Sequence, residues 1–138
     1  LLEFGAATEA KDDVGRTPLC LASQQGQVEM CRLLLNARAD TDVKNHDGRT
    51  PLHVAAMECQ REACSVLLEF GAAIEAKDGV GRTPLCFVAQ QGQVDICRFL
   101  LNARADIRVK NHDGQTPLHV AAKEGQCEAC RVLLEFGA

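Results

Sequence analysis

One tripeptide, Thr-Pro-Leu, recurs along the chain at a fixed interval, and this interval constrains the fold more than any other feature. The copies begin at positions 17, 50, 83 and 116, so each lies 33 residues after the one before it, without an insertion. A glycine stands two residues before every copy. Self-similarity at a period of about 20 to 50 residues is typical of repeat proteins, whose units contact mainly their neighbours. The chain is therefore predicted to be an array of repeats.

A longer period indicates that two types of repeat alternate. When the sequence is shifted by 66 residues, 57 of the 72 overlapping positions are identical. Residues 17–49, by contrast, match residues 50–82 at only 13 of 33 positions. The duplicated unit is hence a pair of unlike repeats, which arose either by tandem duplication or by design.

The order of residue types within one repeat predicts two short helices. In residues 48–80, Thr50 is a good N-cap, and Pro51 suits the first helical position because its missing N–H costs nothing there. We expect this helix to continue through Ala56 and to break near Cys59. Helices of roughly eight to ten residues are marginal alone in water, so they persist only when neighbouring pairs stack.

The second helix of the same repeat is predicted to begin near Arg61. Cys64, Leu67 and Leu68 stand at i, i+3 and i+4, which places them on one apolar stripe. Gly71 fits the left-handed residue that follows a helix end.

These residues resemble the ankyrin repeat. The Thr-Pro-Leu-His motif of that family stands at 50–53 and 116–119, and its Ala-Ala follows at 55–56 and 121–122. The resemblance implies an all-α repeat solenoid, a stack of helix-turn-helix pairs with β-turn or hairpin connections. We expect a single array over residues 1–138. Its parts would be the end of a preceding repeat (1–14), three full repeats (15–47, 48–80 and 81–113) and a truncated repeat (114–138).

The chain departs from the family pattern at two kinds of position. Cys20 and Cys86 replace the motif histidine, which in the family ties neighbouring repeats together through hydrogen bonds, and a small apolar side chain is expected to fill that space. Arg38 and Arg104 stand where the other repeats end the second helix with glycine, at positions 5, 71 and 137. A left-handed arginine is expected to cost roughly 1 kcal/mol.

The cysteines are predicted to be reduced core thiols. Positions 31, 64, 97 and 130 follow the repeat and fall on the second-helix stripe. Successive repeats lie about one helix diameter apart, roughly 10 Å, whereas a disulfide needs Cα atoms within about 7 Å. Cys127 and Cys130 have the spacing of half a zinc site, but one apolar face formed with Leu133 and Leu134 explains that spacing without a metal. No cofactor is expected.

The remaining polar patterns do not predict catalysis. The His-Asp pairs at 46–47 and 112–113 lack a third partner and are interpreted as solvated turn residues, and no phosphate-loop, serine-hydrolase or zinc-protease motif occurs. Lysines at 11, 44, 77 and 110 and arginines at 16, 49 and 82 form ladders. We interpret these two rows of side chains as a solvated edge of the array. The alternative is that they form a charged surface that binds an acidic partner.

Composition narrows the classes of partner. A net charge of −4 and an aromatic content of 4% give neither a basic surface nor the stacking side chains of a nucleic-acid binder. No apolar run approaches the roughly 18 residues of a membrane span. No secretory signal is visible, so an intracellular location is expected, in the cytoplasm or the nucleus.

The leading hypothesis is a non-catalytic scaffold or adaptor that binds another protein. By resemblance, ankyrin arrays bind through their turn tips and the exposed side of their first helices. The candidate binding residues are Asp13, Val14, Arg16, Gln24, Gln25, His46, Asp47, Arg49, Met57, Glu58, Gly79, Val80, Arg82, Gln90, Gln91, His112, Asp113, Gln115, Lys123 and Glu124.

Two alternatives remain open at the level of sequence. The same six residues, LLEFGA, occupy positions 1–6 and 133–138, and neither end has the polar character of a capping repeat. This pattern suits an excerpt of a longer array, or a structural spacer or protomer that stacks end to end. The other alternative is an enzyme whose catalytic domain lies outside this chain.

Overall fold

A computed structural model describes residues 8–138, and this part of the chain is helical with no strand. The expectation that the first residues close a preceding repeat at Gly5 falls on residues 1–7, outside the described part. The described residues group into two compact units, which meet in sequence between Ala73 and Ile74. The first unit contains α1 (Pro18–Gln24), α2 (Val28–Asn36), α3 (Pro51–Met57) and α4 (Arg61–Glu69). The second unit contains α5 (Pro84–Gln91), α6 (Val94–Asn102), α7 (Pro117–Lys123) and α8 (Cys127–Glu135).

The first helix of every repeat begins at the Thr-Pro pair, as predicted. The hydroxyl of Thr17 accepts a hydrogen bond from the backbone N–H of Cys20, and Thr50 does the same for His53. His53 also accepts the backbone N–H of Thr50 at its Nδ1, 3.2 Å away, so this helix start is capped in both directions. Cys20 cannot supply that second bond, and its buried thiol fills the position with an apolar group instead.

Each unit is built from two helix pairs packed side by side. In the first unit, α1 contacts both α2 and α3, and α4 contacts both α2 and α3. The second unit repeats this arrangement with α5 to α8. Leu19, Leu52 and Leu67 are fully buried between these helices. The first helices have only seven or eight residues and the second helices nine, so the predicted eight to ten was too long for three of the first helices.

The predicted apolar stripe of the second helices is only partly correct. Cys64 and Leu67 are fully buried, but Leu68 is half-buried. On α8 the prediction is wrong for Leu134, which is 58% exposed. Its equivalent on α6, Leu101, is buried because α8 packs beside α6. Cys127 is likewise exposed, so the sequence spacing alone overstated the width of the buried face.

The helix ends that lack glycine are left-handed, as predicted. Arg38 has a φ of 67° and Arg104 a φ of 70°, close to the glycine conformation at the other helix ends. Cys59 is a third case, with a φ of 56° in the turn between α3 and α4, where the other repeats have glycine. A side chain with a Cβ is strained in this region of φ.

Carboxylates in the connections tie each repeat to the next. Glu9 accepts the backbone N–H of Asp40 at 3.0 Å, and Asp42 accepts that of Ala73, also at 3.0 Å. The lysine ladder also joins neighbouring repeats, because the Nζ of Lys11 donates a hydrogen bond to the carbonyl of Lys44 at 3.3 Å. In the second unit, Glu75 and Lys77 repeat these bonds to Asp106 and Lys110.

Candidate functional site

The turn tip of each repeat is closed from inside by one Asp or Asn side chain. The Oδ1 of Asp12 accepts the backbone N–H groups of Val14 at 3.1 Å and Arg16 at 2.9 Å. Side chains of this type commonly hold turns by bonding the backbone two residues on. The same pair of bonds is formed by Asn45, Asp78 and Asn111. The tips therefore have a defined conformation before any partner binds.

A glycine at the tip lets the following repeat approach closely. A Cβ built on Gly15 would stand 2.6 Å from Cδ2 of the His46 ring. The backbone N–H of His46 donates to the carbonyl of Val14 at 3.1 Å, which fixes the distance between the two tips. His112 and Gly81 form the corresponding contact in the second unit.

Between the two tips and first helices of the first unit lies an open groove of about 320 Å³, which we call the first groove. It is lined by Val14, Arg16, Gln24, Asn45, His46, Asp47, Arg49, Val54, Met57 and Glu58. Val14 is 49% exposed. The groove thus offers apolar surface together with charges of both signs.

The second unit has a related groove of about 210 Å³, which we call the second groove. It is lined by Val80, Arg82, Gln90, Asn111, Asp113, Gln115, Val120, Lys123 and Glu124. Each of these positions is 66 residues after one of the first groove, and only two side chains differ. Arg49 becomes Gln115, and Met57 becomes Lys123.

The arginines at the tips are paired with local carboxylates. Arg16 donates from Nε to Asp12 at 2.8 Å, and Arg49 lies 3.4 Å from Asp47. The N–H groups and guanidinium of Arg16 lower the pKa of the Asp12 carboxyl, against a smaller opposing effect of desolvation. Much of the charge of the arginine ladder is therefore balanced within the repeat, and only the donors that these pairs leave free can bind an acidic partner.

Arg82 is held more firmly than Arg16. It forms an ion pair with Asp78 at 3.0 Å, donates from Nη1 to Oε1 of Gln90 at 3.1 Å and lies 4.5 Å from the centre of the Phe87 ring. Burial alone would raise the pKa of the Asp78 carboxyl, but the N–H groups of Arg82 and Val80 and the guanidinium lower it overall.

Fifteen of the twenty predicted binding residues line these two grooves, eight in the first and seven in the second. The other five are Asp13, Gln25, Gly79, Gln91 and His112, which are exposed but do not line a groove. The sequence interpretation missed Asn45 and Asn111, and also Val54 and Val120. Val54 could have been found, since it stands three and four residues before Met57 and Glu58 on the same helix face.

The second helices carry a different set of contacts. Arg32 of α2 pairs with Glu69 of α4 at 3.2 Å, and Arg98 of α6 pairs with Glu135 of α8 at 3.0 Å. These exposed pairs join neighbouring repeats within each unit. Ion pairs of this kind contribute only about 0 to 1 kcal/mol.

All eight cysteines are free thiols in the described part of the chain. Burial raises the pKa of the Cys64 thiol to about 12 and those of Cys86 and Cys97 to about 11. These thiols pack as small apolar groups. Among the described residues, no group of three or more His, Cys, Asp or Glu side chains is arranged to hold a metal ion.

The fold of paired short helices and the grooves between turn tips define a helical repeat protein. The family model "Ankyrin repeats (3 copies)" matches residues 1–78 and 70–138. The chain belongs to the ankyrin-repeat family, whose members are generally non-catalytic protein–protein interaction modules.

A search of curated proteins found no match. Within residues 8–138, none of the helices is long and apolar enough to cross a membrane.

Proposed function

We propose that this chain is a non-catalytic scaffold or adaptor module that binds a partner protein through its turn tips and the exposed side of its first helices. The observation that carries this proposal is the convergence of tip and first-helix side chains on two grooves that mix apolar and charged groups. Pre-formed concave surfaces with a few convergent polar groups are common binding sites.

The second helices supply buried core residues and the first helices supply groove residues, and this difference supports the proposed binding face. Ala63, Cys64 and Leu67 of α4 are buried against neighbouring helices, so changes there affect stability. Met57 and Glu58, at the end of α3, border the open groove instead. A rigid scaffold that presents variable positions at its surface is the usual arrangement for recognition.

The test begins with a partner captured on the full chain from a cell lysate and identified by mass spectrometry. The purified partner is then titrated against Arg49→Ala, Met57→Ala and Glu58→Ala variants, each with a melting curve. We expect at least one of these variants to weaken binding about tenfold, which corresponds to 1.4 kcal/mol, without a large change in melting temperature.

Arg32→Ala and Arg98→Ala are the matched controls, because they remove a charge from the second helices. They are expected to leave the affinity for the partner unchanged. If these two variants weaken binding while the groove variants do not, the proposed binding face is wrong.

A second candidate function, end-to-end self-association, is favoured by one apolar surface of α8. Leu134, Cys127 and Cys130 border a shallow hollow of about 430 Å³, and the equivalent side of α6 is covered by α8. Sedimentation velocity over a wide concentration range tests this function. A concentration-dependent increase in mass that Leu134→Glu abolishes would support it, and a constant monomer mass would exclude it.

A further inference from the structure

The two grooves are closely related in sequence, but part of the second groove is filled by hydrogen-bonded side chains of its own lining. Nε and Nη2 of Arg82 both lie 3.0 Å from Oδ2 of Asp78, and Nη1 donates to Gln90. All three nitrogens of this guanidinium are therefore engaged. Arg82 and Gln90 both line the second groove, so their hydrogen bond occupies part of it.

Arg16 has the equivalent neighbours Asp12 and Gln24 but keeps donors free. Its Nε bonds Asp12, while its Nη1 and Nη2 and the side chain of Gln24 have no hydrogen-bond partner among residues 8–138. The side chains of the two pairs also differ in exposure. Arg16 and Asp12 are 36% and 32% exposed, whereas Arg82 and Asp78 are 20% and 1% exposed. The first groove is accordingly the larger, about 320 Å³ against 210 Å³.

One of the residues that differ between the two units lies against Arg82. Phe87 offers the face of an aromatic ring to Arg82, at 4.5 Å, and the equivalent residue in the first unit is Leu21. A guanidinium is attracted to the face of an aromatic ring, and leucine provides no such attraction. The contact with the ring favours the position from which Arg82 reaches Gln90, and Leu21 offers Arg16 no such contact.

We propose that the first groove, and not its duplicate, is the docking site, and that it accepts a partner segment in which a carboxylate side chain lies next to a large apolar one. This inference rests on the proposed function and specifies which surface acts and what it recognises. The free edge of Arg16 presents two parallel donors, which match a carboxylate.

The rest of the first groove supplies the apolar half of this recognition. Val14 and Val54 line it together with Met57, whose flexible thioether adapts to differently shaped apolar groups. In the second groove the position of Met57 is taken by Lys123, whose charged group disfavours an apolar side chain beside it. Both halves of the recognition are thus weaker in the duplicate.

The experiment uses the full chain and a phage-displayed library of random peptides as the probe. Peptides selected on the wild-type chain are synthesised, and their affinity and stoichiometry are measured by isothermal titration calorimetry. We expect the selected peptides to contain Asp or Glu beside a large apolar residue. Replacing that residue by Asn or Gln is expected to weaken binding about tenfold, as for loss of a charge-assisted pair.

Exchanging Leu21 and Phe87 between the two units tests which of the two grooves binds the peptide. Leu21→Phe does not alter a groove-lining residue, but it gives Arg16 the ring that holds Arg82, and we expect it to weaken peptide binding about tenfold. Phe87→Leu combined with Lys123→Met opens the second groove, and we expect the stoichiometry to rise from one peptide per chain to two. Arg32→Gln, which removes a charge from a residue that lines neither groove, is the control, and melting curves check that each variant is folded.

The outcomes distinguish this inference from the proposed function. Selected peptides without a carboxylate, no enrichment of any peptide, or affinity unaffected by Leu21→Phe would overturn the inference. Peptide binding that is lost on changing Gln115 or Lys123 instead would overturn it while leaving the proposed function intact. Binding that is lost only on changing Arg32 or Arg98 would overturn both.

Discussion

The imidazole ring of His46 lies directly over Gly15, so that a Cβ on that glycine would stand 2.6 Å from the ring. Gly15 also has a φ of 83°, in the left-handed region. Two separate features therefore disfavour a side chain at position 15: the left-handed backbone of Gly15 itself and the close approach of His46 from the next repeat. The same tip position in the last repeat, Gly114, has a φ of 74° but nothing within 4 Å of a Cβ.

We predict that Gly15→Ala destabilises the chain more than Gly114→Ala does. Both variants incur about 1 kcal/mol for the left-handed backbone, and Gly15→Ala adds about 1 to 3 kcal/mol for the overlap with His46. Denaturant unfolding of the two variants measures the difference. Equal losses of stability would mean that the His46 ring moves aside freely. The double variant Gly15→Ala with His46→Ala is the control, and it should recover the part of the loss that the ring causes, while the contact with the backbone nitrogen of His46 at 3.0 Å remains.

Glycine at the strained helix ends is predicted to stabilise the chain. Arg38→Gly and Arg104→Gly should each raise the free energy of unfolding by up to about 1 kcal/mol, because glycine adopts the left-handed conformation without steric cost. Cys59→Gly should act in the same direction. Gly71→Ala provides the reverse case, since no atom lies within 4 Å of a Cβ there and only the backbone is strained. A lower unfolding midpoint for both arginine variants would contradict this account.

Thiol labelling is predicted to divide the cysteines into two groups. In the folded chain at neutral pH, Cys59 and Cys127 should react rapidly with a disulfide reagent because both are exposed, and half-buried Cys130 more slowly. The five remaining thiols are buried, and burial raises the pKa of each. They should react only on unfolding, and all eight should react in denaturant. Rapid native labelling that persists in the Cys59→Ser, Cys127→Ser double variant at the same level would contradict the assignment.

Alkaline pH is predicted to destabilise the fold through the buried thiols. The pKa of Cys64 is about 12 in the folded chain, against 9.0 for an unperturbed thiol. The unfolded chain therefore releases this proton first as the pH rises, and stability present below pH 9.0 is lost progressively up to about pH 12. The difference in unfolding free energy between the wild-type chain and Cys64→Ala should narrow over this interval. A difference that stays constant with pH would show that Cys64 does not carry the effect.

Much of the fold follows from local sequence signals, and these were sufficient for the helix starts and ends. Thr50 and Pro51 define a helix start by their own chemistry, and Arg38 occupies a position whose repeat equivalents are glycine. Such signals depend on residues close together in the chain. The paired-helix repeat and its family were therefore predictable.

The features that escaped prediction depend on how side chains pack, which local sequence signals do not encode. The exposure of Leu134 depends on whether another helix covers that side of α8, which helical periodicity does not encode. Arg82 differs from Arg16 in its contact with the ring of Phe87, whose equivalent is Leu21, and the sequence does not indicate that this contact forms. The position of each residue within the repeat was enough to predict most of the groove-lining residues. Only the side-chain contacts distinguish one groove from the other.

The hydrogen bonds that close each tip from inside have a thermodynamic consequence for association. Because Asp12 and Asn45 already hold the backbone of their tips, a partner meets loops whose conformational entropy was lost during folding. Binding should then show the modest negative heat-capacity change of a small apolar contact, without the larger contribution that accompanies ordering of a disordered segment. New specificities can arise by exchanging single groove side chains, since the loops that carry them keep their shape without help from a ligand.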